Sequence, residues 1–125
     1  MKKASMLLVL FLLISVLLLS CTSQNFSDPE QSNKAIEWIV ASTEKAIVNK
    51  DIKLARTIWS EISEYGVKAS SMGKDDLGDK LGSLASCYEY LVKYLETGDK
   101  KLYEKFQDNY SSAMEDLQAV IDLKE

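Results

Sequence analysis

The sequence predicts an all-α domain, arranged as a four-helix up-down bundle or as two stacked helical hairpins. Three observations predict it. Four stretches of about 20 residues place their apolar side chains every three or four positions, the period of an amphipathic helix. Residues that start and stop helices stand between these stretches and leave connections of about two to five residues, short enough to make neighbouring helices antiparallel. No stretch alternates with period two, so no sheet is expected.

The first helix is predicted over 29–49. Ser27, Asp28, Pro29 and Glu30 form a helix-start signature, in which Ser27 caps, Glu30 reaches back and Pro29 sits where a missing N–H costs nothing. Ile36, Ile39, Val40, Thr43, Ala46 and Ile47 supply the buried face, and Asn49 is the expected left-handed stop. Asp51 then caps a second helix over 52–71, with Ala55, Ile58, Trp59, Ile62, Tyr65 and Ala69 on one side and Met72–Gly73 at its end. Gly66 inside it costs about 1 kcal/mol relative to Ala.

The third helix, from Asp75 or Asp76 to Thr97, has the cleanest seam. Leu77, Leu81, Leu84, Tyr88, Leu91 and Leu95 step by four and three, as in an a/d pattern. Gly98 suits the position just past its end. Asp99 caps the fourth helix, over 100–123, whose face is Tyr103, Phe106, Tyr110, Ala113, Leu117 and Val120. The corners Asn49-Lys50-Asp51 and Gly98-Asp99 resemble each other, which reads as ordinary helical-hairpin grammar.

Ahead of these helices lies a different kind of sequence. Met1-Lys2-Lys3 is a short basic start, and Met6 to Leu19 reads MLLVLFLLISVLLL, without a charge. A basic start before an apolar run of this size is the pattern of a secretory signal peptide. The run falls short of the roughly 20 apolar residues that a spanning helix needs. It ends in Leu18-Leu19-Ser20-Cys21. This resembles the lipobox of bacterial lipoproteins, with an aliphatic residue at −3 and a small one at −1 before the cysteine. The resemblance covers residues 1–21 only. It implies that Leu18, Leu19 and Ser20 are recognised by a signal peptidase, and that 1–20 are removed. It also implies that Cys21 carries a diacylglyceryl group with palmitate-type chains and becomes the first residue of the mature chain. Two acyl chains give stable anchoring where one gives marginal binding. The expected location is therefore the exported side of a cell membrane or outer membrane. The expected division of the chain is 1–20 signal, 21–28 lipidated cysteine with a short polar tether, and 29–125 helical domain. Phe26 is the apolar residue of that tether and is expected to pack on the first helix as a staple.

Composition narrows the function further. The chain has 125 residues with 15 basic and 19 acidic side chains. Without Lys2 and Lys3 the net charge of the remainder is −6. Nucleic acid is an unsuitable partner, since its binding rests on neutralising phosphates. With Cys21 acylated, Cys87 is left alone, and a packed core rather than disulfides must supply stability. Cys87 is read as a small half-buried apolar residue.

Catalytic chemistry is hard to build from what remains. The chain has no histidine, which removes Ser-His-Asp and Cys-His pairs and the usual zinc sets. No phosphate-cradling glycine loop is present. Asp75, Asp76 and Asp79 gather at the start of the third helix without calcium-loop spacing, and are read as partners of the helix dipole. Gly78 and Gly82 are read as a close approach to a neighbouring helix. No metal, cofactor or enzymatic activity is expected. Trp38, Tyr90 and Tyr94 lie beside the apolar seams and are the candidate partner-binding residues, because aromatics give large contact area at low entropic cost. The expected function is a membrane-anchored lipoprotein whose helical domain binds a protein partner at the cell envelope. The alternative is a passive structural or spacer lipoprotein.

Overall fold

The protein is an all-α four-helix bundle, seen in a computed structural model that describes Phe26 and residues 29–123. The expected signal, Leu18, Leu19, Ser20, Cys21 and the Ser27 cap lie outside the described residues. The helices are α1 (Pro29–Asn49), α2 (Ile52–Ser71), α3 (Asp75–Thr97) and α4 (Lys100–Asp122). Among the described residues no helix is long and apolar enough to cross a membrane.

The corners follow from local chemistry. At the end of α1 the Asp51 N–H bonds to the Ala46 carbonyl at 2.8 Å and the Lys50 N–H to Ile47 at 3.3 Å, a paired closure of the last turn. The left-handed residue is Lys50, with φ 51°, and not Asn49, which stays helical. Asp51 turns back as cap of α2, its carboxylate accepting from the Leu54 N–H at 3.0 Å. The α2–α3 turn repeats the closure, with Lys74 N–H on Ala69 at 2.9 Å and Gly73 at φ 78°. Gly98 ends α3 at φ 75°, and Asp99 caps α4 by accepting from Lys101 N–H at 3.0 Å. Both corners flagged in the sequence thus pair a left-handed residue with an Asp cap.

Ile39, Ile58, Ile62, Leu81, Leu84, Tyr88, Leu91, Phe106 and Leu117 are sealed from solvent and form the centre of the core. The α3 seam is buried from Leu77 to Leu91, and Leu95 is half-buried at its end. In α4 the buried position at the C-terminal end is Ile121, with Val120 beside it half-buried. A straight helix of 3.6 residues per turn drifts against a strict three-four pattern, and the face has moved by one residue there.

α2 and α3 make the most intimate pair, α3 and α4 the next, while α1 rests more lightly on α2 and meets α4 along an edge. Glycine explains the first pairing. A Cβ on Gly78 would overlap Ser70 Oγ and stand 3.1 Å from the Gly66 carbonyl oxygen, so α2 and α3 touch there backbone to backbone. A Cβ on Gly82 would point into open space, but the Gly82 backbone N would stand 3.6 Å from a Cβ on Gly66, so Gly82 also borders the close approach. Gly66 and Gly78 should respond in opposite directions. A Cβ on Gly66 would meet its neighbours at 3.4 Å or more, ordinary contact. Gly66→Ala should therefore keep most of the helix-propensity gain, about 0.5–1 kcal/mol. Gly78→Ala should be destabilising despite the same propensity gain, because backbone must move. Urea midpoints of the two variants check this, and a midpoint for Gly78→Ala above that of Gly66→Ala would contradict it.

Phe26 joins the core and finds an aromatic partner beyond the first helix. It is buried and sits edge-on against Tyr65 of α2, with ring centroids 5.4 Å apart, so its ring partner lies on the second helix and not the first. Its carbonyl accepts from Lys74 Nζ at 3.4 Å. The chain ahead of the bundle is thereby tied to α2 and to the α2–α3 turn.

Candidate functional site

The light contact between α1 and α4 leaves a groove of about 350 Å³. Its geometry starts with the narrow buried stripe of α1: Ser32, Ala35, Ile39, Thr43 and Ala46. Ile36 and Ile47, expected in the core, are only half-buried, and Val40 is 44% exposed. The periodicity that put Val40 inside names a helix face but not the width its neighbours cover. Val48, one position further round, is 73% exposed. Val40, Ile47 and Val48 thus form one wall, and Tyr103, Phe106 and Tyr110 of α4 form the floor and the opposite side. Isolated exposed apolar side chains are ordinary; two valines two turns apart over an aromatic floor are a contiguous surface.

The floor is a run of rings. Tyr103 and Phe106 lie 6.4 Å apart between centroids and Phe106 and Tyr110 5.1 Å, both nearly parallel. Tyr88 meets Phe106 edge-on at 5.5 Å and Tyr110 at 6.3 Å. Edge and offset arrangements of this kind are favoured by the ring quadrupoles.

Beneath the rings is a chain of hydroxyls. Thr43 Oγ1 donates to the Ile39 carbonyl at 2.6 Å and lies 2.7 Å from the Tyr88 hydroxyl. Thr43 spends its one proton on Ile39, so Tyr88 must be the donor between the two. Tyr110 interacts with both hydroxyls. Burial pushes the Tyr88 phenol far above its ordinary range, although the Thr43 hydrogen bond pulls the other way. Burial likewise raises Tyr110. Both phenols are neutral at physiological pH and serve as fixed hydrogen-bonding groups under an apolar groove. Glu44, Gln107 and Ser111 make the polar rim.

Of the residues singled out in the sequence, Trp38, Tyr90 and Tyr94 are all half-buried and packed against the core. Tyr94 is joined to the groove: its ring lies 4.7 Å from that of Tyr103. Tyr90 sits below Lys105 Nζ, 5.9 Å from the ring centre, within cation–π range. Trp38 makes no ring contact with another aromatic among the described residues. Asp75, Asp76 and Asp79 are exposed at the start of α3, and among the described residues no group of three or more His, Cys, Asp or Glu could hold a metal ion.

Cys87 is buried, with its thiol donating to the Ser83 carbonyl at 3.3 Å. Burial raises its pKa, so the reactive thiolate is suppressed. Labelling of native protein by a thiol reagent at pH 8 should be limited by opening of the bundle and become fast in denaturant; prompt stoichiometric labelling of the native fold would contradict this.

The groove residues Glu44, Val48, Tyr103, Phe106 and Tyr110 were not singled out as a site by the sequence. A signal for one wall was present: Ile36, Ile39, Val40, Thr43, Ala46, Ile47 and Val48 sweep an arc wider than one neighbouring helix covers. No family model, curated protein or solved structure matches the chain.

Proposed function

We propose that this chain is an exported lipoprotein, held on a membrane through lipid on Cys21, whose four-helix domain binds a protein partner in the α1–α4 groove. The observation that carries the binding reading is the pair Val40 and Val48, left in water above the aromatic floor of the groove. The lipid reading rests on the basic start, the apolar run and Leu18-Leu19-Ser20-Cys21. A groove with apolar walls and a few placed polar groups is the usual form of a binding site. Tyr94 supports the groove through Tyr103, and Trp38 and Tyr90 are further candidates for contact beyond it. A binding module needs no catalytic constellation, which agrees with a chain lacking histidine.

Affinity isolation from intact envelopes tests the reading. Wild type and Val67→Glu, which alters an exposed valine on α2 outside the groove, should retain the same specific partner. Val48→Glu should lose it. Retention by Val48→Glu, or equal loss with Val67→Glu, would contradict the assignment of the site. A chain without any specific partner would favour the passive spacer instead.

A further inference from the structure

The binding reading leaves open what enters the groove, and two features of the molecule bear on it. The first is where the tether is fastened. Phe26 is fixed against Tyr65 and Lys74, and Cys21 precedes it by five residues. Five residues reach at most about 17 Å. The tether, if held by lipid at one end and by Phe26 at the other, is spent in spanning between them and is unavailable to fill the groove. It also brings the α2–α3 turn, the start of α1 and the end of α4 to the membrane side. The groove begins at Val40, about 16 Å along α1 from Pro29, and continues to Val48 at about 28 Å. Its upper end therefore lies toward the α1–α2 and α3–α4 corners, in the half of the bundle remote from the lipid.

The second feature is charge. Glu44 stands on the groove rim and Glu37 lies two turns before it on the exposed side of α1. Neither makes an ion pair among the described residues. No cation lines the groove. A second copy of this chain would set Glu44 against an equally acidic surface, and the domain as a whole carries −6 once Lys2 and Lys3 are gone. Like charges brought together oppose such an association. Two antiparallel helices with an apolar trough between them offer a seat for a third helix, which would insert side chains at i, i+3, i+4 and i+7.

From these features we infer that the α1–α4 groove takes an amphipathic helix of a partner protein, approaching from the aqueous side, with basic residues flanking its apolar face to meet Glu44 and Glu37. This rests on the lipoprotein reading for its direction of approach and on the groove alone for its chemistry.

The test uses the full processed protein on phosphatidylcholine nanodiscs, with a photo-crosslinking amino acid replacing Val48 or, separately, Val67. Retention on the disc is scored first. Failure of retention counts against the lipid anchor and the direction of approach, and capture is then read on the free chain. The probe is a short synthetic helix of leucine and lysine with leucines at i, i+3, i+4 and i+7, with empty discs as blank. The expected result is an adduct at position 48 and none at 67, weakened about tenfold when glutamate replaces lysine in the probe. Glu44→Gln should weaken capture by the lysine probe in the same direction. Equal capture of both probes, equal adducts at 48 and 67, or no adduct at 48 would overturn the inference. So would adducts at 48 to phospholipid or to a second copy of the chain, which would name a different occupant.

Discussion

Tyr88→Ala should destabilise the bundle by about 3–5 kcal/mol, the cost of emptying a large buried aromatic site. Domains of this kind are stable by only about 5–15 kcal/mol, so the variant should be unfolded at a much lower urea concentration or fail to accumulate. Tyr88 has no exposed surface, touches Phe106 and Tyr110, and donates to Thr43. Two milder variants separate packing from hydrogen bonding. Tyr88→Phe keeps the ring and leaves Thr43 satisfied by the Ile39 carbonyl, for a loss of about 0.5–1.5 kcal/mol. Thr43→Val removes the acceptor and leaves a buried phenol short of a partner, about 1–3 kcal/mol. The double variant should lose less than the two losses added, because both remove the same bond. Strict additivity in denaturation would contradict the hydroxyl chain.

Cys21→Ala should have the largest effect on the fate of the chain. In the proposed account the thiol is the nucleophile that accepts the diacylglyceryl group, and the peptidase cuts only after that transfer. Alanine has no sulfur to acylate. The variant should accumulate with residues 1–20 attached and incorporate no labelled fatty acid, while Cys87→Ala should be processed and labelled like wild type. The energetic contrast is large, since each buried CH₂ contributes about 0.8 kcal/mol and two chains are lost together. Normal processing of Cys21→Ala to a shorter soluble chain would mean that an ordinary signal peptidase does the cutting.

The helices were legible in the sequence almost to the residue, and the reason is local. Asp51 and Asp99 mark starts because a short carboxylate bonds free N–H groups, and Gly98 marks an end because it tolerates positive φ. The α3 seam was legible because that helix is covered on two sides, so every a/d position finds a neighbour. α1 is covered less. Its pattern placed Val40 with Ile39 and Thr43, and only the thin α1–α4 contact decides that Val40 stays outside.

The groove itself was not legible for a related reason. Its walls lie at opposite ends of the folded chain, 40–48 and 103–111, and nothing in either segment names the other. Thr43 entered the pattern as an apolar position, whereas its role depends on a hydroxyl 45 residues away. Phe26 was correctly read as a packing residue, but its partner was set by the α2–α3 turn folding back to meet it. The glycines divide in the same way: Gly78 and Gly82 both border Gly66, and only at Gly78 would an added Cβ meet the backbone of α2.

The amino terminus of the protein extracted from its native envelope is the most direct test. Intact-mass and fragment-ion mass spectrometry should find a chain beginning at Cys21, with a diacylglyceryl thioether on its sulfur and residues 1–20 gone. A chain that starts elsewhere, or begins at Cys21 with a free thiol, would contradict the account.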